Sequence, residues 1–232
     1  MPKTMQTIER IADLDVVVKR TGEDGPAVVI LHGYGADMND LAPLTDVLPE
    51  PSTGTWYFPN APLEVPIGPH VTGRAWFPID MEALEKAMMT GTTRDFASVI
   101  PGGFLEAQEK VSKFVKALDR KPEDIILGGF SQGAMISCDV ALHMDSNLKG
   151  LVLLSGNMVA KERWEKSVSN RKGQRIFQSH GQQDQVLGFE SAENLSKMLE
   201  NAEADIKFVP FQGGHEIPHS VMKNLAQFLG DL

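Results

Sequence analysis

Residues 124–133 spell DIILGGFSQG, an apolar run that leads directly into the pattern G-x-S-x-G. The apolar part is typical of a β-strand that is buried on both faces, and an apolar-periodic helix is predicted from Gln132 onward. At such a junction the turn is so tight that its serine takes strained backbone angles and the residues two positions away must be small. The pattern therefore predicts that Ser131 stands above the sheet at the positive end of a helix. A glycine-rich turn without catalytic use is the alternative.

Similar apolar runs recur along the chain, separated by segments with helical periodicity. The runs are VVVK from residue 16, AVVILHG from 27, TWYFPNAP from 55, GLVLLSG from 150, RIFQSHG from 175 and DIKFVPF from 205. All except VVVK have the composition of strands that are buried on both faces. Helices are predicted at about 41–48, 104–118, 132–143, 191–201 and from 218 onward. This alternation predicts a doubly wound α/β fold, with a mostly parallel central sheet and helices on both faces.

The chain shows no sign of a boundary between domains. Its 232 residues contain no Ser/Gly linker, repeat or low-complexity tract, so we expect a single domain over residues 1–232. Residues 61–103 depart from the alternation, because they carry several prolines and glycines and a short amphipathic segment in which Met81, Leu84 and Met88 share a face. A connection of this length is predicted to be a lid or a substrate-binding loop. An insertion that only covers the sheet edge is the equally weighted alternative.

Composition limits the class of protein. Hydrophobic residues make up 42% of the chain, and 22 basic against 31 acidic residues give a net charge of −9 without long blocks of one sign. This charge distribution lacks the clustered lysine and arginine residues that are typical of nucleic-acid binding. We expect no signal peptide, no stable membrane insertion and no N-myristoylation, because the N-terminus mixes charges among its apolar residues, the apolar runs are short, and Pro2 follows Met1. The single cysteine, Cys138, favours a reducing compartment, so a soluble cytoplasmic protein is expected.

Ser131 needs partners if it is to act as a nucleophile. A serine is a poor nucleophile near neutral pH unless a base lies within hydrogen-bonding reach, itself oriented by a carboxylate. In this architecture the chain order is serine, acid, histidine. Asp184 follows the strand RIFQSHG and His215 follows the strand DIKFVPF, so both are expected at the edge where parallel strands end. We predict that His215 is the general base and that Asp184 orients it.

Other candidate residues fit these roles less well. His32 and His180 lie at strand ends but precede the acid, and a histidine at such a place more often hydrogen-bonds a loop. His143 lies near a helix C-terminus, where a positive charge suits the helix dipole. Cys138 follows Ser131 by two helical turns and is predicted to be a packed thiol.

The sequence QGGHEIPHS, residues 212–220, also contains H-E-x-x-H, the pattern of a zinc site in which both histidines share one helical face. Pro218 interrupts any helix through this pattern, but it suits the first position of a helix that runs to Gly230. His215 is then a loop residue and His219 lies in the first helical turn, so the two point in unrelated directions. A zinc-dependent hydrolase that uses His215 and His219 stays as the alternative to serine chemistry.

Acyl transfer also needs N–H donors for the oxyanion of the tetrahedral intermediate. One is expected from the backbone of Gln132, the residue after the serine. The other is assigned to the backbone of Tyr34, in the turn HGYG that follows the strand AVVIL.

Taken together, the motifs resemble the phospholipase/carboxylesterase family of α/β hydrolases, which includes acyl-protein thioesterases and small bacterial carboxylesterases. The motifs are LHGYG at 31, FPNAP at 58, RAWF at 74, GFSQG at 129, HGQQD at 180 and GHEI at 214, in the family's order. The resemblance implies the α/β-hydrolase fold and the following site residues: a triad of Ser131, Asp184 and His215, oxyanion donors at Tyr34 and Gln132, and Trp76 on the acyl pocket. It implies no metal or organic cofactor and a small-molecule or acylated substrate. Members of the family are often homodimers, so a homodimer is one assembly to test.

Three residues depart from the family's pattern. Ala134 stands where members commonly have a second glycine, Pro78 where an aspartate usually follows the Trp-aromatic pair, and Gly188 where a proline usually follows the acid loop. The last two fall in loops that shape the acyl and leaving-group sites. Of the family's properties, substrate preference is therefore the one that the resemblance predicts least well for this chain. The sequence thus predicts a serine carboxylic-ester hydrolase that forms an acyl-enzyme at Ser131, with acyl thioesters and lysophospholipids as further candidate substrates. A non-catalytic binding module on the same fold is a second alternative.

Overall fold

The computed structural model describes residues 5–22, 24–48, 53–90 and 96–232. Within these ranges eight strands form a central sheet and two form a separate hairpin. The strands are β1 (Met5–Ile11), β2 (Leu14–Arg20), β3 (Ala27–Leu31), β4 (Thr55–Pro59), β5 (Leu63–Gly68), β6 (Val71–Ala75), β7 (Ile125–Phe130), β8 (Gly150–Leu154), β9 (Arg175–Gly181) and β10 (Asp205–Phe211). The helices are α1 (Leu44–Val47), α2 (Met81–Met89), α3 (Phe104–Ala117), α4 (Gln132–Leu142), α5 (Lys161–Ser167), α6 (Phe189–Asn201) and α7 (His219–Gly230), with short 3-10 helices at Pro122–Asp124 and Val168–Arg171.

The central sheet has the strand order β1-β2-β4-β3-β7-β8-β9-β10. Strands β4, β3, β7, β8, β9 and β10 pair in parallel, whereas β2 runs antiparallel to both β1 and β4. The prediction of a mostly parallel sheet is therefore confirmed. The strand order reverses at β3, which lies between β4 and β7. Because the carboxyl ends of parallel strands share one edge, the loops after β3, β7, β9 and β10 all lie along that edge, where α/β proteins bind their ligands.

Different helices cover the two faces of the sheet. Side chains alternate along β3, so that Val29 and Leu31 pack in a core with residues of α3, α4 and α6. Val28 and Ile30 point to the other face and pack in a core with residues of α7. The inner parallel strands β3, β7, β8 and β9 are thus buried on both sides, as the sequence predicts.

Two strands differ from the predicted burial. The run VVVK lies in β2 and is buried on both faces, because Val16 and Val18 join one core and Val17 joins the other. Lys19 is buried as well, and its Nζ donates to the carbonyl oxygen of Ala42 at 2.9 Å, just before α1. Strand β10 is largely half-buried because it is the edge strand of the sheet.

Some elements are absent from the sequence-based prediction. These are β1, the hairpin β5–β6 and the short helix α5. The helix expected at 41–48 is a single turn that begins after Pro43, whose missing N–H suits a helix start. Helix α2 coincides with the short amphipathic segment, although the side chain of Met88 on its expected apolar face lies outside the described part of the structure. None of the helices in the described ranges has the length and apolar composition needed to cross a membrane.

Residues 61–103 form the hairpin β5–β6 and helix α2, and residues 91–95 among them lie outside the described ranges. The hairpin holds the loop that follows β3, because the Gly35 N–H donates to the Arg74 carbonyl oxygen at 2.8 Å. A Cβ atom on Gly73 would lie 2.0 Å from the Gly35 carbonyl oxygen, so only glycine permits this approach. The insertion therefore positions a loop at the carboxyl edge of the sheet. Its action as a lid stays a prediction.

Candidate active site

Ser131 lies in the tight turn between β7 and α4. Its backbone angles are φ 55° and ψ −117°, outside the regions that suit an L-residue, as the motif predicts. A Cβ on Gly129 would lie 2.5 Å from the carbonyl carbon of Gly133, and a Cβ on Gly133 would lie 2.2 Å from the Leu31 carbonyl oxygen. The flanking glycines are therefore what allows β7, α4 and β3 to approach so closely. The Ser131 amide is fixed by donating to the Leu154 carbonyl oxygen at 2.8 Å.

The structure brings Ser131, Asp184 and His215 into one chain of hydrogen bonds. Ser131 Oγ lies 2.8 Å from His215 Nε2, and His215 Nδ1 lies 2.7 Å from Asp184 Oδ2. An ionised carboxylate only accepts hydrogen bonds, so Nδ1 carries the proton and Nε2 presents its lone pair to the serine hydroxyl. The Asp184 side chain is fully buried and that of His215 is 17% exposed. The base is thus within reach of a substrate, while the acid is shielded from water.

Backbone contacts between the loops after β9 and β10 hold the acid beside the base. The Gln183 N–H donates to the Gly213 carbonyl oxygen at 2.9 Å. A Cβ on Gly181 would lie 2.1 Å from the Gly214 carbonyl oxygen, so the two loops touch at a position where a side chain does not fit. The spacing between the acid and the base is therefore set by the main chain.

Backbone and side-chain N–H groups surround the Asp184 carboxylate. Oδ1 accepts from the backbone N–H groups of Val186 at 2.9 Å and Leu187 at 2.8 Å. Oδ2 accepts from His215 and lies 3.2 Å from Nε2 of His180. Burial by itself raises the pKa of the Asp184 carboxyl, but the hydrogen bonds from His180, His215 and Leu187 outweigh it and hold the pKa well below its usual range. Asp184 is therefore ionised at neutral pH.

Tyr34 and Gln132, the expected oxyanion donors, both lie beside Ser131. Each lines the cavity at the serine, and in the described part of the chain neither backbone N–H donates to another group. The loop that carries Tyr34 lies against the nucleophile, since a Cβ on Gly33 would be 3.3 Å from Ser131 Cβ. Within the described chain both amides are therefore unpaired, as an oxyanion donor must be before substrate binds.

Buried side chains fix the two segments that carry these amides. The Gln132 side chain accepts from the backbone N–H of Trp76 at 2.9 Å and donates to the Phe77 carbonyl oxygen at 2.7 Å. His32 Nδ1 lies 2.7 Å from the Gly33 carbonyl oxygen, so this nitrogen carries the proton. Burial lowers the pKa of His32, which favours the neutral ring. His32 thus bonds its own loop, as expected for a histidine at that strand end.

A cavity of about 140 Å³ opens beside Ser131 and His215. Its remaining described lining residues are mostly apolar: Tyr34, Phe77, Ile79, Leu84, Phe96, Gln132, Met135, Val186 and Leu187. The family resemblance places Trp76 on the acyl pocket, but Trp76 is absent from the described lining and is 1% exposed. Its Nε1–H donates to the His32 carbonyl oxygen at 2.9 Å. Trp76 therefore supports the loop after β3 from behind, and its neighbour Phe77 forms the wall.

The histidines of the H-E-x-x-H pattern do not share a helical face. Helix α7 begins at His219, one residue later than predicted, with Pro218 in an extended conformation as its cap. Both ring nitrogens of His215 are engaged, one by Ser131 and one by Asp184. The described residues contain no group of three or more histidine, cysteine, aspartate or glutamate side chains that could hold a metal ion. The geometry gives the zinc alternative no support.

The sequence assigns His180 only to a loop contact, whereas the structure places it against Asp184. The four-residue spacing of His180 and Asp184 does not by itself predict this contact, because β9 ends between them and the following turn decides where the acid lies. The cavity walls come from several separate segments, so no local pattern marks them. Cys138 is buried as expected, and burial raises the pKa of its thiol. His143 caps the C-terminus of α4, also as expected.

Comparison with known proteins places the chain in a family. The sequence profile of the family described as Phospholipase/Carboxylesterase matches residues 12–232. Acyl-protein thioesterase 1 of Candida albicans is 27% identical over 224 residues, which cover 89% of this chain and 91% of that protein. Carboxylesterase SOBER1 of Arabidopsis thaliana is 26% identical over 221 residues, which cover 87% and 88%. The crystal structure of esterase PE8 matches with a TM-score of 0.78 at 28% identity and covers 99% of both chains. The chain therefore belongs to the phospholipase/carboxylesterase family of α/β hydrolases and is an enzyme of the esterase and thioesterase class.

Proposed function

We propose that this enzyme is a serine carboxylic-ester hydrolase that forms an acyl-enzyme at Ser131. The observation that carries the proposal is the unbroken hydrogen-bond chain from Ser131 Oγ through His215 to Asp184, with distances of 2.8 and 2.7 Å. Strain at the serine, the two available amides and the adjoining apolar cavity support it. Each is a part that acyl transfer requires.

Acylation begins with the transfer of the Ser131 hydroxyl proton to His215 Nε2. Ser131 Oγ bonds to the carbonyl carbon of the ester, and the carbonyl π electrons move to oxygen, where the N–H groups of Tyr34 and Gln132 bind the oxyanion. When the intermediate collapses, the bond to the leaving oxygen breaks and His215 Nε2–H returns the proton to the leaving alcohol. Asp184 keeps the His215 proton on Nδ1 and stabilises the imidazolium that forms in between.

Deacylation repeats these steps with water as the nucleophile. His215 takes a proton from the water as its oxygen bonds to the acyl carbon, and the same two amides receive the oxyanion. Collapse of this intermediate breaks the bond to Ser131 Oγ, which regains its proton from His215. The products are the carboxylic acid and the free enzyme.

The described residues that line the cavity indicate the size and polarity of the acyl group that it binds. Phe77, Met135 and Leu187 are nearly fully buried, so they form a firm apolar boundary. A space of about 140 Å³ is close to the ~150 Å³ cavity that holds benzene in another protein, so the site is sized for acyl groups of about four to six carbons. Acyl thioesters with acyl groups of this size present the same kind of carbonyl carbon and are further candidate substrates. Lysophospholipids also present an ester carbonyl, but their acyl chains are usually longer than this space holds, so the cavity gives them less support than short-chain esters. One relative is named an acyl-protein thioesterase and another a carboxylesterase, which supports testing both leaving groups.

Replacement of the nucleophile tests the proposal. Ser131→Ala is expected to lower the hydrolysis of p-nitrophenyl butyrate by about 10³-fold or more and to abolish labelling by a fluorophosphonate, with an unchanged thermal unfolding temperature. The matched control is Ser146→Ala, which removes an exposed hydroxyl in the loop between α4 and β8. The control is expected to keep full activity and labelling. Retained labelling of the Ser131→Ala protein would end the assignment.

A further inference from the structure

His180 is the buried histidine closest to the proposed acid. It lies one residue before the end of β9, its side chain is fully buried, and its ring packs 6.2 Å from the ring of Phe189. Its Nε2 atom lies 2.8 Å from the Leu187 carbonyl oxygen and 3.2 Å from Asp184 Oδ2. The acylation and deacylation steps above use no atom of His180.

These two distances determine the tautomer of His180. A carbonyl oxygen only accepts a hydrogen bond, so Nε2 must carry a proton. The same N–H is therefore shared between the Leu187 carbonyl oxygen and the Asp184 carboxylate. Nδ1 is buried, and within the described residues it has no hydrogen-bond partner. Only one nitrogen of this ring is used, and it is the one that meets the acid.

The contacts of His180 close a ring around the acid loop. Leu187 donates its backbone N–H to Asp184 Oδ1 at 2.8 Å, and its carbonyl oxygen accepts from His180. His180 also reaches Asp184 Oδ2, the oxygen that accepts from His215. A rotation of the carboxylate away from His215 would therefore break hydrogen bonds on both of its oxygens. His180 is also the first of the hydrogen-bonding groups that lower the pKa of Asp184.

Burial of a histidine at this position is unfavourable for folding alone. A buried polar atom without a hydrogen-bond partner lowers stability, so an apolar ring of the same shape would be more favourable on the Nδ1 side of the ring. The other nitrogen makes hydrogen bonds that a phenylalanine ring cannot make. The benefit of histidine at this position is therefore the donor aimed at the acid loop.

We propose that His180 is a positioning residue of the active site, whose Nε2–H holds the Asp184 carboxylate aimed at Nδ1 of His215. The proposal rests on the proposed function, since Asp184 must orient a catalytic base for its position to matter. His180 acts through Asp184 and touches no reacting atom. Its loss should therefore change the turnover step more than substrate binding.

Two substitutions separate the donor from the shape of the ring. His180→Phe keeps a ring and removes the donor, whereas the side-chain N–H of His180→Gln lies the same number of bonds from Cβ as Nε2–H. His180→Phe is expected to lower kcat for p-nitrophenyl butyrate by about 10- to 100-fold, with KM within about twofold, because a small displacement of the acid misaligns the base. His180→Gln is expected to keep kcat within about threefold of the wild-type value. His180→Met serves as a second variant without a donor if the Phe variant is poorly folded, and thermal unfolding is measured for all three.

A double-mutant cycle tests whether His180 acts through the acid. In an Asp184→Asn background, where the carboxylate is gone, His180→Phe is expected to lower kcat by less than about twofold. The proposal is overturned if a folded His180→Phe protein keeps wild-type kcat, if His180→Gln loses as much as His180→Phe, or if the full loss persists in the Asp184→Asn background. Failure of the proposed function has a different result, because Ser131→Ala would then retain activity.

Discussion

Within the described residues a serine, a histidine and an aspartate meet in two places. The first is the proposed active site. The second, which we call the α4–α5 cluster, consists of Asp139, His143 and Ser167. Ser167 Oγ lies 3.0 Å from His143 Nε2, and His143 Nδ1 lies 2.7 Å from the Asp139 carbonyl oxygen and 3.4 Å from its Oδ2. The two clusters are similar in residue type and in the distance from serine to histidine. They differ at the acid, because His143 bonds the main-chain carbonyl of Asp139 whereas His215 bonds the carboxylate of Asp184.

The backbone around the two serines differs most. Ser131 precedes the first residue of α4 at a φ of 55°, and the amide of the next residue, Gln132, donates to no other group in the described chain. Ser167 is the last residue of α5 at an ordinary φ of −106°, and the amide of the next residue, Val168, already donates to the Trp164 carbonyl oxygen. A helix C-terminus presents carbonyl oxygens and the negative end of the helix dipole, which disfavours an oxyanion.

The two acids also have different partners. The Asp139 carboxylate accepts from Arg163 on both oxygens at 3.0 Å and from Trp164 Nε1 at 2.7 Å, so it is used to join α4 to α5. Asp184 directs Oδ2 to a histidine. The size of the space beside each cluster does not explain the difference in role. His143 and Ser167 line an open groove of about 740 Å³, which is larger than the cavity at Ser131. What distinguishes the proposed site is the pair of amides without an acceptor in the described chain and the acid that is directed at the histidine, rather than the three residue types or the space beside them.

The largest expected contrast is between the two histidines. His215→Gln is expected to lower kcat for p-nitrophenyl butyrate by about 10⁴-fold, because no base then takes the serine proton. His143→Gln is expected to keep kcat within about twofold. Steady-state hydrolysis at neutral pH measures both. A comparable loss in the two variants would remove the distinction between the clusters.

Replacement of Asp184 should mainly lower activity, whereas replacement of Asp139 should mainly lower stability. Asp184→Asn is expected to lower kcat by about 10³-fold, since the amide no longer favours the productive His215 tautomer. Asp139→Asn is expected to keep kcat but to lower the free energy of unfolding by about 1.5–3 kcal/mol, the range for hydrogen bonds to a charged group. Kinetics and urea unfolding of both proteins test the pair. A stable Asp139→Asn protein without activity would contradict the structural role of that cluster.

Hydrolysis of esters with acyl chains of different length should reveal the size of the cavity beside Ser131. With p-nitrophenyl esters, kcat/KM is expected to be highest for acyl groups of about four to six carbons and to fall by about tenfold by twelve carbons. Longer acyl chains exceed the cavity of about 140 Å³ beside Ser131. Met135→Ala removes a wall of the cavity and is expected to move the optimum to longer chains. A wild-type optimum at twelve carbons or more would refute the size argument and leave the serine mechanism intact.

The depressed pKa of Asp184 predicts a smaller effect on stability. Its folded pKa lies below the unfolded value of about 3.9, so the stabilisation by this carboxylate is fully present above that pH and is lost as the pH falls toward the folded pKa. The difference in unfolding free energy between wild type and Asp184→Asn is therefore expected to shrink below about pH 4. Urea unfolding from pH 6 to about pH 2.5 measures it. A difference that grows on acidification would contradict the sign.

Local sequence patterns predict those parts of the molecule that depend on local strain or on long apolar runs. The strain at Ser131 follows from a strand, a glycine and a helix that are adjacent in sequence. The placement of Asp184 and His215 follows from the rule that parallel strands end at one edge. Strands β1 and β5 escape prediction because they are mostly exposed, and β6 escapes it because its sequence VTGRA contains no apolar run.

The roles of individual buried side chains depend on tertiary contacts that no local pattern contains. Trp76 and Phe77 are adjacent in sequence and both buried, yet one supports the loop after β3 and the other lines the cavity. His180 and His143 each lie at the end of an element, and only the structure shows that the first meets the acid of the proposed site. Residue type identifies the candidates, and packing decides which of them take part.

Identification of the acylated residue tests the central claim most directly. The enzyme is mixed with p-nitrophenyl butyrate, quenched in acid within the first turnovers and digested, and the peptides are analysed by mass spectrometry. The mechanism predicts a butyryl group on the peptide that contains Ser131, absent from the Ser131→Ala protein. A butyryl group on the peptide that contains Ser167, or active turnover without any acylated peptide, would contradict it.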